Sequence, residues 1–376
     1  MADIQIQLEE ITVGKELPWA VYDSKNTLLL KKGYIISSQR QLDLLLSKGL
    51  YRAKGEGADA EPAKPLSKIN PFDAMSQFIS RLQQANKHFL TGNQEANPVA
   101  SIQRLAGDLQ KVCDDDPDAM LGIVHLWDVK EYACFHNIAV AILCELVSDR
   151  LGISTEGRLT LLCAALTANL GMHDSHDDLH QHKGPLRAEQ KLSIQNHPEE
   201  SVALLQKVGV NDQKWLTAVL QHHERMDGKG YPQQLSFEKI CNEAKLIGLA
   251  DMYSAKVSHR GDRGAIPSKE VLKELFAKKD RQYDEQLALV FIKEMTIFPP
   301  GSFVRLANGD IALVIKRKPD SMWPWVASLV TPRGGPYATP MRRDSAQEQF
   351  QIKEMVKQVE KLPLNLQALW GYTHHT

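Results

Sequence analysis

The amino-acid sequence predicts a mainly α protein, a helical bundle with small β-containing modules before and after it. Three observations carry that prediction. Apolar residues recur at three- and four-residue steps from near Pro71 to about Met295, the period of helices with a buried face. Before residue 52, and again after Phe298-Pro299-Pro300-Gly301, the period falls to two and turn residues punctuate the runs, as strands require. Residues 53–70 are polar and rich in Gly, Pro and Ala, the composition of a linker.

Taken in order, Ile4–Leu8, Trp19–Tyr22, Thr27–Leu30 and Tyr34–Ile36 read as short strands of an N-terminal module covering residues 1–52. Gln39–Lys48 follows as an amphipathic helix with Leu42, Leu45 and Leu46 on one side. Within the helical region, 71–295, the stripe Phe135, Ile138, Ala139, Ile142, Leu143, Leu146 and Val147 holds helical spacing. Leu159–Leu170 is apolar nearly all round, which suits a helix at the bundle centre. Pro198 followed by Glu199 and Glu200 predicts a helix start, with proline first and acids in the first turn. Leu246, Leu249, Ala250, Tyr253 and Val257 mark a later helix. Residues 296–340 predict a β extension: Ser302–Leu306, a turn at Asn308-Gly309, Ile311–Lys316 and Val326–Val330. Residues 341–376 are expected to close the chain with a helix over Ser345–Leu362 and a tail.

Composition narrows the function classes. The 45 Lys+Arg residues balance 46 Asp+Glu, so no basic footprint for nucleic acid is visible. Five cysteines without CxxC spacing read as buried thiols rather than a disulfide framework. Met-Ala-Asp-Ile-Gln lacks a basic and then apolar leader, so no signal peptide and a cytoplasmic protein are expected. The most apolar stretch, Ile138–Val147, contains Glu145 and is too short to predict a membrane span.

Chemistry concentrates at Gln221–Pro232. Asp212 is a candidate N-cap, and Trp215, Leu216, Val219, Leu220 and His223 recur at helical steps. That puts His223 on the buried side and His222 about 100° round the helix. Adjacent imidazoles at a helix end suit a metal site; they equally complement a helix dipole. Gly228 and Gly230 offer positive φ for a tight turn, and Pro232 stiffens its exit.

The run His222-His223-Glu224-Arg225-x-Asp227-Gly228-x-Gly230-Tyr231-Pro232 resembles the signature of the HD-GYP family. Its members hydrolyse cyclic di-GMP at a two- or three-metal site in a helical bundle. The resemblance implies an HD-domain-like bundle here and extends over roughly residues 125–295. It assigns metal-ligand positions to His197, His222, His223 and Asp251, and to His136 as a further candidate. It places Arg260 and Arg263 on substrate phosphates. By residue chemistry alone His136 reads more readily as a satisfied core histidine, and the two arginines by default as solvated surface charges. An unpaired buried Asp251 is harder to explain that way.

One element departs from the family. Where members carry His-Asp-x-Gly-Lys, this chain has Ala168-Asn169-Leu170-Gly171-Met172. Alanine cannot ligate a metal, a neutral amide is a poor bridge between cations, and Met172 removes a positive charge. Metal stabilisation is worth several kcal/mol, so losing the bridged pair should cost on the order of 10³ or more in rate. No catalytic residue is therefore expected. His197, His222, His223 and Asp251 leave enough ligands for at most one divalent metal (Fe, Mn or Zn), or none. The polar run Met172–His182, dense in His and Asp, could supply a displaced His-Asp pair or a separate metal loop, or be a solvated loop.

Together these residues predict a degenerate HD-GYP-like signalling protein that binds cyclic di-GMP or a GGDEF-type partner. Its interaction surface would use Asp227, Gly228, Gly230, Tyr231 and Pro232, with Tyr231 exposed. The alternative is a cyclic di-GMP phosphodiesterase with an altered metal centre.

Overall fold

The computed structural model describes residues 4–5, 17, 21–22, 28–30, 51–52, 69–127, 132–258, 264–278, 282–319, 321–356 and 364–372. The chain divides into two units, Met1–Lys68 and Ile69–Thr376. In the first, β1 (Ile4–Gln5), β2 (Val21–Tyr22), β3 (Leu28–Leu30) and β4 (Tyr51–Arg52) pair antiparallel in the order β1-β4-β2-β3. The expected strand Tyr34–Ile36, the helix Gln39–Lys48 and most of the linker lie outside the described residues.

The second unit is built from helices whose starts are written in the sequence. Helices α1 (Pro71–Thr91), α2 (Pro98–Asp115) and α3 (Pro117–Leu126) each begin with proline after a capping side chain, Asn70, Asn97 or Asp116. The cap accepts a backbone N–H of the first turn, and proline has no N–H there to leave unpaired. Helix α4 (Tyr132–Arg150) is buried all round from Tyr132 to Ser148. It is long and apolar enough to cross a membrane, but 94% of that window is buried by the protein itself. It is the core helix of the bundle. Around it pack α5 (Thr155–Thr167), α6 (His173–Gln181), α7 (Ala188–Lys207), α8 (Gln213–Gln221), α9 (Asn242–Val257), α10 (Ser268–Lys278) and α11 (Glu285–Met295).

A five-stranded antiparallel sheet follows, in the order β8-β7-β6-β5-β9. Its strands are β5 (Phe303–Leu306), β6 (Ile311–Lys318), β7 (Ser321–Val330), β8 (Pro336–Asp344) and β9 (Ile352–Met355). Phe303, Leu313, Ile315 and Ala327 join the bundle core. Arg317 fastens the sheet to the helices through Asp118 at 2.5 Å and Glu294 at 2.6 Å.

The helix expected over Ser345–Leu362 does not form where that span is described: a turn, a 3-10 turn over Glu348–Phe350 and strand β9 stand there instead. Ile352 is buried, and Lys353 and Glu354 are exposed. Strand β5 then gains a partner on its open edge, with Arg305 opposite Glu354 and their side chains 3.0 Å apart. Pro198 does not start a helix either; it lies inside α7, which begins ten residues earlier at Ala188. That misplacement proves chemically useful.

Candidate metal centre

Helix α7 tolerates Pro198 because the carbonyl that a normal residue would bond, that of Ile194, finds another donor. His197 Nδ1 lies 2.7 Å from it, so the ring donates where the proline cannot. The same device recurs at the end of α8. The last carbonyls of a helix lack intrahelical donors, and His222 Nδ1 lies 2.7 Å from that of Val219. Both rings thus carry their proton on Nδ1 and turn a bare Nε2 lone pair inward.

Those two Nε2 atoms are 3.2 Å apart. Two acceptors at that distance repel unless a proton or a cation lies between them. A proton is disfavoured, because burial and the neighbouring His222 hold His197 down to about 3. Burial likewise lowers His222, and burial with the His222 charge lowers His223 well below the usual histidine value. Among the described residues, His197, His222 and His223 form a group whose ligand atoms all lie within 4.8 Å of one another. Neutral imidazoles with converging lone pairs are a divalent-metal donor set, so the residues present fit a metal ion. His222, not His223, is the more deeply buried of the adjacent pair: helix α8 ends at Gln221, and the following turn redirects both rings.

Asp251 reaches the same centre from α9. Gly248, one turn earlier, packs on the His222 backbone so closely that a Cβ would stand 2.4 Å from its carbonyl oxygen. Burial alone would push Asp251 up, but the His136 hydrogen bond and the surrounding imidazoles hold it well below the usual carboxylate range. His136 Nε2 lies 2.8 Å from Asp251 Oδ1, while its Nδ1 meets Ser254 Oγ at 3.2 Å and Tyr132 Oη at 3.3 Å. His136 Nε2 donates to the ionised Asp251, and its Nδ1 is left to accept from the hydroxyls. Of the five positions anticipated as ligands, His197, His222 and His223 converge, Asp251 lines the same cavity as His222 and His223, and His136 is bonded to Asp251.

The departing segment lies beside them. Leu170–Met172 forms a single 3-10 turn against α7, where a Cβ on Gly171 would stand 2.5 Å from the His197 carbonyl oxygen. Ala168 presents a buried methyl. Asn169 donates from Nδ2 to Asn137 Oδ1 at 3.0 Å, and its own buried Oδ1 has no hydrogen-bond partner. An amide oxygen left without a donor is the one part of this segment with acceptor capacity for a cation.

The turn after His223 is held by its own side chains. Glu224 accepts Gln233 N at 2.6 Å and Leu235 N at 2.9 Å, and Asp227 pairs with Arg225 at 2.5 Å. Gly228 has φ +68°, whereas Gly230 is required by contact: a Cβ would stand 2.4 Å from Arg225 N. Tyr231, expected to be exposed, is half-buried, its ring stacked on His223 at 4.6 Å. Pairing an aromatic face with a flat imidazole covers both. Burial, with Asp251 adding to it, pushes its hydroxyl up. A cavity of about 160 Å³ opens in front of this pair, lined by His223, Tyr231, Asp251, Arg225, Lys245 and Tyr283. Arg260 and Arg263 lie outside the described residues. Asn137, Ser254 and Tyr132, which orient the site, were not singled out as site residues by the sequence.

Residues 111–287 match the family model for the HD domain. Over 217 residues the chain is 27% identical to a cyclic di-GMP phosphodiesterase of Pseudomonas aeruginosa, covering 58% of this chain and 50% of that protein. A 3'3'-cGAMP-specific phosphodiesterase of Vibrio cholerae is 32% identical over 158 residues, 41% of this chain and 36% of its own. The chain thus spans half or less of the length of these curated relatives. A solved HDGYP protein from Bdellovibrio bacteriovorus matches with TM-score 0.51 at 19% identity, covering 78% of this chain and 99% of its own. At that identity the likeness concerns the fold.

Proposed function

We propose, from the HD-domain match over residues 111–287 and the likeness to cyclic di-GMP phosphodiesterases, that this chain is an HD-GYP-type, metal-binding signalling protein that recognises cyclic di-GMP with little or no hydrolysis. The observation that carries this reading is the pairing of an intact histidine triad with Ala168 and Asn169 at the position of the family's His-Asp pair. The triad holds one divalent ion, for which manganese, iron and zinc are the candidates. When bound, that ion supplies charge to draw in and polarise a phosphodiester oxygen. The chain's own residues do the rest. Asp251 balances charge, Tyr231 and His223 form one wall of the cavity, and Lys245 and Arg225 bring positive charge to its rim. Arg260 and Arg263 are proposed as further phosphate contacts.

Binding would then be passed on through the Asp227–Pro232 turn, whose side chains and backbone join the cavity wall to the surface, to a GGDEF-type partner. A specific observation keeps the enzyme alternative in play: His136, His197, His222, His223 and Asp251 stand together, most of the ligands a phosphodiesterase would need.

Hydrolysis and binding assays separate the two. With Mn²⁺ or Fe²⁺ supplied, cyclic di-GMP should bind by calorimetry yet remain uncleaved, within background. Turnover that disappears in His222→Ala would replace the binding reading with the enzymatic one. Failure to bind cyclic di-GMP and GGDEF domains alike would remove the signalling reading.

A further inference from the structure

Glu145 is the one carboxylate in the part of α4 that is buried throughout, and none of these roles uses it. Apolar side chains in place of a buried ion pair are often at least as stabilising, so its presence there calls for another reason. Glu145 Oε1 accepts from Arg158 Nε, on α5, at 2.8 Å, and its Oε2 accepts from Gln110 Nε2 at 3.3 Å. Arg158 also meets Asp149 at 3.0 Å and Asp114 at 3.8 Å. One guanidinium thus serves three carboxylates. Asp114, Glu145 and Asp149 line a cavity of about 420 Å³ together with Cys113, Pro117 and Leu146. The other charges of its lining are already matched: Glu294 bonds Arg150 and, at 2.6 Å, Arg317, which bonds Asp118 at 2.5 Å.

We propose that this cavity binds a small aliphatic amine, with its ammonium among Asp114, Glu145 and Asp149 and its alkyl body against Pro117 and Leu146. Features besides the carboxylates select such a cation. The lining draws on the last turns of α2, α4 and α11, and helix C-termini carry partial negative charge. The Cys113 thiol, 2% exposed, lines the cavity and makes no hydrogen bond among the described residues. Burial, then the Glu145 and Asp114 charges, push that thiol well up, so it stays neutral and offers sulfur as an acceptor to an N–H. Burial, with the charges of Asp149 and Asp115 added, also raises Asp114, although Arg158 acts against it. The three acids are therefore short of positive charge, which an ammonium supplies. The cavity gives far more room than a bare ion fills, and Pro117 and Leu146 give it an apolar wall. The site also stands apart from the histidine centre: Glu145 lies nine residues beyond His136 along α4, about 13 Å away.

The test is calorimetric titration of the full chain, stripped of metal, with 1,4-diaminobutane as the probe. 1,4-Butanediol supplies the same alkyl length without charge, and Mg²⁺ supplies charge without an alkyl body. Wild type should bind the diamine saturably, show no binding of the diol, and keep the diamine when Mg²⁺ is added at constant ionic strength. The double variant Asp114→Asn, Asp149→Asn changes two exposed side chains and leaves the buried Glu145–Arg158 pair in place. It should bind the diamine about tenfold more weakly or worse, with circular dichroism and melting confirming that it is folded. Asp149→Asn alone should show a smaller loss, and it decides the matter where the double variant does not fold. No saturable diamine binding in wild type overturns the proposal, as does undiminished affinity in a folded acid variant. Displacement of the diamine by an equal concentration of Mg²⁺ would make this an inorganic-cation site, and binding of the diol an uncharged one; either result overturns the amine. Because the chain is metal-free throughout, none of these outcomes bears on the reading of the histidine centre.

Discussion

Asn169→Asp restores one carboxylate of the missing pair and exposes how the pocket is balanced without metal. Asn169 is 2% exposed and donates to Asn137 Oδ1. An ionised aspartate would set two acceptors face to face. Asn137 cannot turn its amide to help, because its Nδ2 is committed to the Leu166 carbonyl at 3.3 Å. The cheapest escape is for the new carboxyl to stay protonated and donate as the amide did. Holding it neutral at pH 7 against an unfolded value near 3.9 costs about 1.36 kcal/mol per unit, or about 4 kcal/mol. At pH 5 the same arithmetic leaves about 1.5 kcal/mol. The folded state then holds a proton that the unfolded chain releases, so the penalty grows as pH rises above 4. For a unit of this size the melting temperature should drop by roughly 8 °C at pH 7 and about 3 °C at pH 5 in EDTA. A bound cation removes the need for the proton, so excess Mn²⁺ should recover most of the loss. Thermal unfolding by circular dichroism at both pH values, with EDTA and with Mn²⁺, checks this. A variant that melts with wild type in EDTA at both pH values would refute the claim that Asn169 faces a dry, cation-seeking pocket.

Other outcomes follow from the same geometry. The triple change Ala168→His, Asn169→Asp and Met172→Lys should raise metal affinity before it raises cyclic di-GMP hydrolysis, because turnover also needs substrate placed to reaction geometry; activity without a gain in metal would contradict this. Tyr231→Ala removes the ring stacked on His223 and should weaken cyclic di-GMP binding about thirtyfold, with about 2 kcal/mol lost, while the melting temperature moves little; the reverse pattern would make the tyrosine a structural residue only. His125 donates from Nδ1 towards the Leu121 and Pro300 carbonyls and meets Tyr253 at Nε2, and burial lowers it to about 4. Its unfolded form takes up a proton first, so the stability it supplies is present above pH 6.5 and fades as pH falls towards 4. The stability gap between wild type and His125→Gln should therefore shrink by up to about 2 kcal/mol between pH 7 and pH 5, read by urea unfolding; a constant gap would show that His125 titrates as it does in the unfolded chain.

Much of this site was legible because ligand chemistry is restricted to few residue types. His136, His197, His222, His223 and Asp251 stood out by identity and order along the chain; the fold converges His197, His222 and His223 and bonds His136 to Asp251. What the sequence could not convey was orientation. It put His223 on the buried face of a helix that in fact ends at Gln221. It gave Tyr231 to the solvent, although the turn folds its ring onto His223. Strand β9 was missed because its pairing with β5 spans some fifty residues, and no local pattern contains that partner.

Pro198 shows why orientation decides the chemistry. Read locally, a proline with two acids behind it marks a helix start, and His197 then precedes the helix as a free-standing ring. In the folded chain the helix passes through the proline, and the carbonyl it orphans captures His197 Nδ1. The ring is fixed in one tautomer by the very defect that the proline introduces. The end of α8 supplies an equivalent orphan carbonyl for His222. Two backbone acceptors that regular helix would have consumed thus aim two Nε2 lone pairs at one point, 3.2 Å apart. Such an arrangement is unfavourable in an empty pocket and favourable around a cation, and nothing about it depends on Ala168 or Asn169. The metal recognition proposed for this chain would accordingly be separable from the His-Asp pair, whose absence would remove a route to hydrolysis without removing the reason to bind.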